Sequence, residues 1–557
     1  MPIFPPSGLA ELLAVRSGLL VDLPHGSGLE KGQPPTKLIR WVDAAPRRFN
    51  VIGICVFITL NVLLTGTLIH LRRPNFPTSN GFKDSSITAS KDKLHVLIPA
   101  SHGDVNLCCS LLGYPTPSIL AWDQNFEQGH QLAGGSHMAK VSGVLDYLSS
   151  LSPKQDDELV LMMDAYDIHL QLPKSVLTSR YHSTREAAQR RLVEYAGHEA
   201  VNGENLQQLI LFGSGKRCAP NWPHTVACYA IPNSPLPEDL YGGNTDTVIG
   251  HNHWSSVRQR FLNSGYVLGP AGAMRRMFAE AWEEIEKWPE TDPFDDGQRF
   301  SADVYHGSDQ SVFALMYGRQ EWVREKLRLK HAPPGTKPRT SKVFGSLVDN
   351  ALSPSFTHEP FDPDLSKGNP YEFGIYLDFW SEFGHQTINS EWDARWITYD
   401  KQKSIEEQVG SRSVWDCPTK VPDVLPDDIL NSSLPAELLK PTGSSPNEPS
   451  PWLTRPLYTH LCLSQIPIFR HMNGHKEHRE NDWPMIWYQP HARAMLNDLN
   501  ELLGEPSEQT WQQHKADSTL LIAGGAWTDK GELLKWEQLC PSEYDKEIFR
   551  DVEEPNT

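Results

Sequence analysis

Apolar positions along this chain come in two lengths. One long run, Val51 to Ile69 (VIGICVFITLNVLLTGTLI), holds 19 residues without a charge, with Asn61 its strongly polar member. At a helical rise of about 1.5 Å per residue it spans roughly 28 Å, the thickness of a bilayer core. All later runs are short. Leu94–Ile98, Leu159–Met163, Leu209–Phe212, Phe261–Gly265 with Val267–Gly269, and Gly374–Leu377 each break off at turn-forming or acidic residues. Such runs read as buried strands, although periodicity alone does not separate them from core helix segments. Between them apolar residues recur at helical spacing. Met138, Val141, Leu145 and Leu148 form one stripe, with Ser136 as N-cap; Met274, Met277, Phe278, Ala281, Trp282 and Ile285 form another. Ser308-Asp-Gln310 reads as a capped helix start. The strand–loop–helix–strand order predicts an α/β fold, a mixed and mostly parallel sheet flanked by helices, preceded by one transmembrane helix.

This pattern divides the chain. Residues 1–50, rich in Pro, Gly and charge, are expected to be a disordered cytosolic tail, 51–69 a signal-anchor helix and 70–93 a flexible stem. A main domain is expected over 94–500, with loop insertions near 330–370 and 401–450, and an acidic extension over 501–557. The apolar run begins too deep in the chain for an ordinary cleaved signal peptide. Lys37, Arg40, Arg47 and Arg48 precede it; Arg72, Arg73 and Lys83 follow. This positive-inside balance favours a cytosolic N-terminus. The expectation is a single-pass type II protein of the Golgi or ER membrane with its large domain in the lumen. The sequon Asn431-Ser-Ser433 fits that location.

Composition narrows the chemistry. Asp and Glu outnumber Lys and Arg by 69 to 51, a net charge of −18, which argues against nucleic acid as the partner. The 8 cysteines include no CxxC pair, so no zinc-ribbon or thioredoxin motif is present. Cys218 and Cys228 stand close enough in sequence to close a short disulfide loop in an oxidising lumen, or remain isolated thiols. Gly213-Ser-Gly-Lys216 lacks the spacing of a Walker loop and reads as a turn.

The candidate chemistry begins at Leu159-Val-Leu-Met-Met-Asp-Ala-Tyr-Asp167. If the apolar run is a strand, Asp164 and Asp167 emerge at its carboxyl end, where open α/β sheets bind ligands. Two carboxylates at this spacing can approach one hard divalent cation, the counter-charge a diphosphate leaving group needs. Four other places can complete such a site. Asn263 and Ser264 in Leu262-Asn-Ser-Gly265 are hydrogen-bonding groups for a sugar, with Gly265 permitting close approach. Asp309 can act as base or sugar contact. His471 in Phe469-Arg-His-Met-Asn-Gly474 can supply an imidazole ligand, with His475 and His478 as rivals. Asp378 closes another apolar run.

Taken in order, Asp164-Ala-Tyr-Asp167, Leu262-Asn-Ser-Gly265, Asp309-Gln310, Leu377-Asp378 and His471-x-Asn-Gly474 resemble the glycosyltransferase domain of the lysyl hydroxylase/procollagen glycosyltransferase family. Gly134-Gly-Ser-His-Met-Ala-Lys140 resembles that family's Gly-rich segment ending in Lys. The similarity covers roughly residues 94–480. It implies a GT-A fold (Rossmann-like), a UDP-sugar donor and Mn²⁺ or another divalent cation. On this chain it implies that Asp164, Asp167 and His471 hold the metal. Tyr166 would lie against uracil or ribose, and Lys140, Ser264 and Gly474 would line the donor. Asn263 and Asp309 would face the sugar, transferred to a glycan or protein hydroxyl.

Two departures stand out. Ser308 occupies the place of the family's first Asp in Asp-Asp-Gln, and His475 and Lys476 follow Gly474 directly, shifting the phosphate-contacting Lys. The family's iron dioxygenase portion has no counterpart, so lysyl hydroxylation is not expected. The alternatives to a transferase are a catalytically inactive relative that binds glycans or partners, which Ser308 favours, and a metal-dependent hydrolase.

Overall fold

The computed structural model describes residues 93–104, 116–124, 136–288, 305–343, 345–434, 450–475, 477–493, 496–497, 508–516 and 525–549. The expected tail, membrane helix and stem lie outside these residues, as does Lys476. Among the described residues no helix is long and apolar enough to cross a membrane.

Fifteen strands are described: β1 (Leu94–Pro99), β2 (Ser118–Leu120), β3 (Leu159–Met163), β4 (Ile168–Leu170), β5 (Ile210–Gly215), β6 (Phe261–Pro270), β7 (Ser341–Val343), β8 (Ser346–Val348), β9 (Ile375–Leu377), β10 (Gly384–Gln386), β11 (Ala394–Ile397), β12 (Leu457–His460), β13 (Phe469–His471), β14 (Ala526–Thr528) and β15 (Leu533–Leu534). Eight form the main sheet in the order β15-β14-β2-β1-β3-β6-β5-β9. Pairing is parallel except where β6 runs against both neighbours and at the β14–β15 edge. The expected mixed, mostly parallel sheet is therefore present.

Burial on both faces explains why β3 is apolar throughout. Leu159, Leu161 and Met163 point into one core, and Val160 and Met162 into the other. Four long helices supply the covering layers: α1 (Ser136–Ser150), α2 (Lys174–Ala196), α3 (Ala271–Glu286) and α4 (Asp309–His331). The sequence stripes are the packed faces. Met138, Val141 and Leu148 of α1, Met274, Met277, Phe278, Ala281 and Ile285 of α3, and Phe313 of α4 share one core. Val176, Leu177 and Tyr181 of α2 lie in the other, with Trp452, Trp483 and Trp487.

Three expectations are corrected. Gly213-Ser-Gly215 is not a turn but the end of β5, with a register shift between Phe212 and Gly213. Its glycine is demanded by crowding: a Cβ on Gly213 would stand 2.8 Å from Gln386 Nε2 and 3.0 Å from Tyr266 Cε1. The segments at 261–265 and 267–269 are one ten-residue strand, β6. The chain after residue 500 is no separate extension, because β14 joins β2 in the main sheet.

Beyond the carboxyl end of β3 a three-stranded sheet forms, in the order β10-β13-β4. It joins strands more than 200 residues apart in sequence, and it is the element that assembles the site. Buried beside it are His385 on β10 and His460 on β12, both without exposure and with ring centroids 4.9 Å apart. Burial lowers the pKa of both, that of His460 to about 4. A histidine kept neutral in the fold holds fewer protons there than when unfolded. Its stabilising effect is complete above its unfolded value near 6.5 and is lost as pH falls from there towards about 4. Denaturant midpoints measured across this window should fall with acidification. His460→Gln should flatten the dependence by close to one proton, worth on the order of 3 kcal/mol between the ends of the window.

Candidate metal centre

Two sheets grip the two ends of Asp164-Ala-Tyr-Asp167. At the first end, Met163 pairs with Tyr266 of β6, and the Asp164 N–H donates to the Gly265 carbonyl at 2.8 Å. At the other, Ile168 of β4 lies opposite His471 of β13, and the Met472 N–H donates to the Asp167 carbonyl at 2.7 Å. The backbone thus carries His471 to a carboxylate pair some 300 residues earlier in the chain. Its Nε2 lies 3.5 Å from Asp167 Oδ2 and 4.0 Å from Asp164 Oδ2. One ligand atom from each of the three lies within 4.8 Å of the others.

Gly265 makes this approach possible. A Cβ there would stand 2.0 Å from His471 Cε1 and 2.5 Å from Nε2. The glycine expected to admit a ligand admits the imidazole instead. Neither His471 nitrogen has a hydrogen-bond partner, and neither does Asp167 Oδ1, although all three atoms are buried. Buried polar atoms are normally satisfied, and His471 Nε2, the ring nitrogen beside both carboxylates, is placed to share one ligand with them. One imidazole nitrogen and two carboxylates suit a divalent cation such as Mn²⁺. The residues present therefore fit the metal implied by the resemblance.

The carboxylates respond to their surroundings in opposite directions. Burial raises the pKa of Asp164; Lys140 opposes this, while Asp167 and Asp309 add to it. Burial also acts to raise Asp167, but the adjacent His471 outweighs it and the net shift is downward.

Lys140, on α1, runs into the same cluster. Its ammonium lies 2.7 Å from Asp164 Oδ1, 2.8 Å from Asp309 Oδ2 and 2.9 Å from the Ser264 carbonyl oxygen, engaging all three donors. Asp309, the first residue of α4, is 3% exposed. Its Oδ2 also accepts from Ser264 Oγ at 2.8 Å, and its Oδ1 lies 3.0 Å from His137 Nδ1. Burial opposes ionisation of Asp309, yet Lys140 and His137 hold its carboxyl well below the usual range. Both oxygens of Asp309 are thus engaged, one by Lys140 and Ser264 and the other by His137. His137 was not singled out from the sequence. Its signal is the i, i+3 spacing to Lys140, which sets both on one helix face. Its side chain is 50% exposed, and the hydrogen bond to Asp309 raises its pKa.

The remaining candidates have varied surroundings. Tyr166 is half-buried, stacks on His102 with centroids 5.4 Å apart, and donates to the His102 carbonyl at 3.2 Å. His102 also escaped the sequence reading. Asn263 donates to Gln310 Oε1 at 2.9 Å and accepts from the Gly265 N–H at 3.0 Å. Gly474 packs on the Ile388 backbone, 3.2 Å from where its Cβ would stand. Ser308 precedes α4 as its N-cap residue but makes no side-chain capping bond. Asp378 is structural: it accepts from Tyr266 OH at 2.9 Å and from the N–H groups of Glu382, Phe383 and Gly384. The rival histidines stand apart from the triad, His475 3.9 Å from Glu477 and His478 3.6 Å from Asp482.

Two further groupings fit a cation less well. In His385–Asp393–His460, Asp393 Oδ2 already receives Lys216 Nζ at 2.9 Å and Tyr241 OH at 2.6 Å. In Asp393–Cys417–Cys462 the sulfurs form a disulfide. Cys218 and Cys228 are likewise joined, the disulfide rather than the isolated thiols of the two alternatives left open by sequence.

A scan against protein-family models finds no match to this chain, and a search of curated proteins finds none either.

The Gly265–His471 contact gives a direct expectation. Gly265→Ala should displace the ring, weaken Mn²⁺ binding at least tenfold by calorimetric titration, and cost about 1–3 kcal/mol in chemical unfolding.

Proposed function

We propose that the chain is a metal-dependent glycosyltransferase that moves a sugar from a UDP-sugar to an acceptor hydroxyl, built on a GT-A-like domain. The observation that carries this reading is the convergence of Asp164, Asp167 and His471 beyond the end of β3, one ligand atom from each within 4.8 Å of the others, with the buried His471 Nε2 unpartnered. The family resemblance supports the same assignment, and supplies the nucleotide sugar as donor.

In this reading Asp164, Asp167 and His471 hold Mn²⁺ or a related divalent cation, which supplies charge neutralisation for a departing diphosphate. The chain's own residues do the rest. Lys140 brings a fixed positive charge to the edge of the carboxylate pair. Asp309 and Ser264 hold Lys140 in place, and Asp309 orients His137, the member of this network that solvent and a ligand reach. Tyr166, backed by His102, offers an aromatic face for the uracil or ribose. Gly474 lets the loop after His471 close against Ile388. A lumenal location is proposed from residues 51–69 as a type II anchor in the Golgi or ER membrane. The disulfides and the exposed Asn431 of the sequon support it.

A second reading, a non-catalytic glycan- or partner-binding relative, draws on one observation. The Lys140 ammonium already neutralises Asp164 and Asp309 together, as a built-in cation would. The two readings part in a single experiment. On the first, wild-type protein binds UDP in the presence of Mn²⁺ and hydrolyses or transfers from a UDP-sugar. EDTA abolishes this, and an Asp164→Ala/Asp167→Ala double variant lowers turnover by about a hundredfold or more. Wild-type protein that binds neither UDP nor Mn²⁺ would exclude the transferase.

A further inference from the structure

A cavity of about 330 Å³ opens beyond the carboxyl end of β5, at the start of β6 and against the β7–β8 hairpin. Phe261, which lines it, lies four residues before Gly265 on the same strand, about 13 Å along it. It is therefore on the ligand-binding edge of the sheet without belonging to the metal centre.

Its lining is cationic in a chain of net charge −18. Lys216 and Arg258 are already neutralised, by Asp393 at 2.9 Å and Asp246 at 2.5 Å. Arg260 and Lys342 are not. Arg260 is 8% exposed, and its three nitrogens donate to the carbonyls of Pro232, Lys342 and Ile231. Three of its five N–H donors are used, all by carbonyls, and its guanidinium lies over the Phe261 ring, 5.2 Å from the centroid. Burial, with Arg339 nearby, pushes its pKa down to about 9 against the opposing pull of Asp246, which is itself paired with Arg258. Ser341, 5% exposed, adds a hydroxyl with no hydrogen-bond partner to the same wall. Trp254 and Phe261 provide ring surface beside these groups. Aromatic faces next to surplus donors suit a sugar ring that carries negative charge.

We propose that this cavity is the acceptor subsite, resting on the transferase reading above, and that it takes a sugar bearing an anionic group, a carboxylate or a phosphate ester. Arg260 and Ser341 would meet the anion at the inner wall, and Lys342 would meet it at the rim.

Ligand-observed NMR on the full-length protein, with EDTA and without nucleotide, tests this independently of the metal centre. The probes are methyl β-D-glucuronide, glucose 6-phosphate and methyl β-D-glucoside, with inorganic phosphate and a Glu-rich peptide as competitors. At least one anionic sugar should bind ten or more times more tightly than the neutral glucoside, and which one binds identifies the anion. Lys342→Glu, at an exposed side chain, should weaken that binding at least tenfold, and Ser341→Ala severalfold. Equal binding of charged and neutral sugars would overturn the proposal, as would indifference to Lys342→Glu or equally tight binding of phosphate alone or of the peptide. Anionic-sugar binding by a protein that binds no UDP with Mn²⁺ would overturn the acceptor role and the transferase reading together. Loss of sugar selectivity with UDP binding intact would overturn the subsite alone.

Discussion

The site exists because residue 265 has no side chain. A methyl group on Gly265 would occupy the position of the His471 ring, and the last strand of the small sheet could not close on β4 in its present register. The same glycine's carbonyl accepts from Asp164, so one residue fixes both the first carboxylate and the space for the imidazole. Close packing makes the condition a tight one, since in a core as dense as an organic crystal the ring can move aside only by giving up its place and straining its neighbours.

Charge is organised around that contact as a chain. Asp167 leans on His471, Asp164 on Lys140, Lys140 on Asp309, and Asp309 on His137. Every link except the first has a partner at hydrogen-bond distance. The first link leaves His471 Nε2 and Asp167 Oδ1 buried without hydrogen-bond partners, and it is where the proposed cation would sit. Asp309, read from sequence as a base or sugar contact, is held by Lys140 and Ser264, and Ser308 beside it makes no side-chain capping bond.

Strands, helix stripes and the two carboxylates at the end of β3 were legible in the sequence because each rests on local pattern. Five buried apolar residues followed by Asp164 can be read directly, and so can the stripe from Met274 to Ile285. His471 was reached through the family pattern, because the residue gap to Asp167 is closed by the β4–β13 pairing and no local pattern encodes it. Gly213-Ser-Gly215 was misread for a related reason. Glycines mark turns in isolation, whereas these are set by crowding from Gln386 and Tyr266, distant in sequence. His102 was passed over because a lone histidine carries no signal until its partner, Tyr166, is placed beside it, and the signal of His137, its spacing to Lys140, gains meaning only with Asp309 in place. The C-terminal strands β14 and β15 were missed because short, mixed sequences such as Ala526-Trp-Thr528 become strands only by pairing at a sheet edge.

Asp164, Asp167 and His471 are proposed as the ligands of one divalent cation. Crystals of the protein grown with Mn²⁺ and UDP, with anomalous data collected on either side of the manganese edge, test it most directly. The account predicts a single strong manganese peak bonded to His471 and to both carboxylates, next to the UDP diphosphate. A peak elsewhere, or none beside these residues with Lys140 still bound to Asp164, would contradict it.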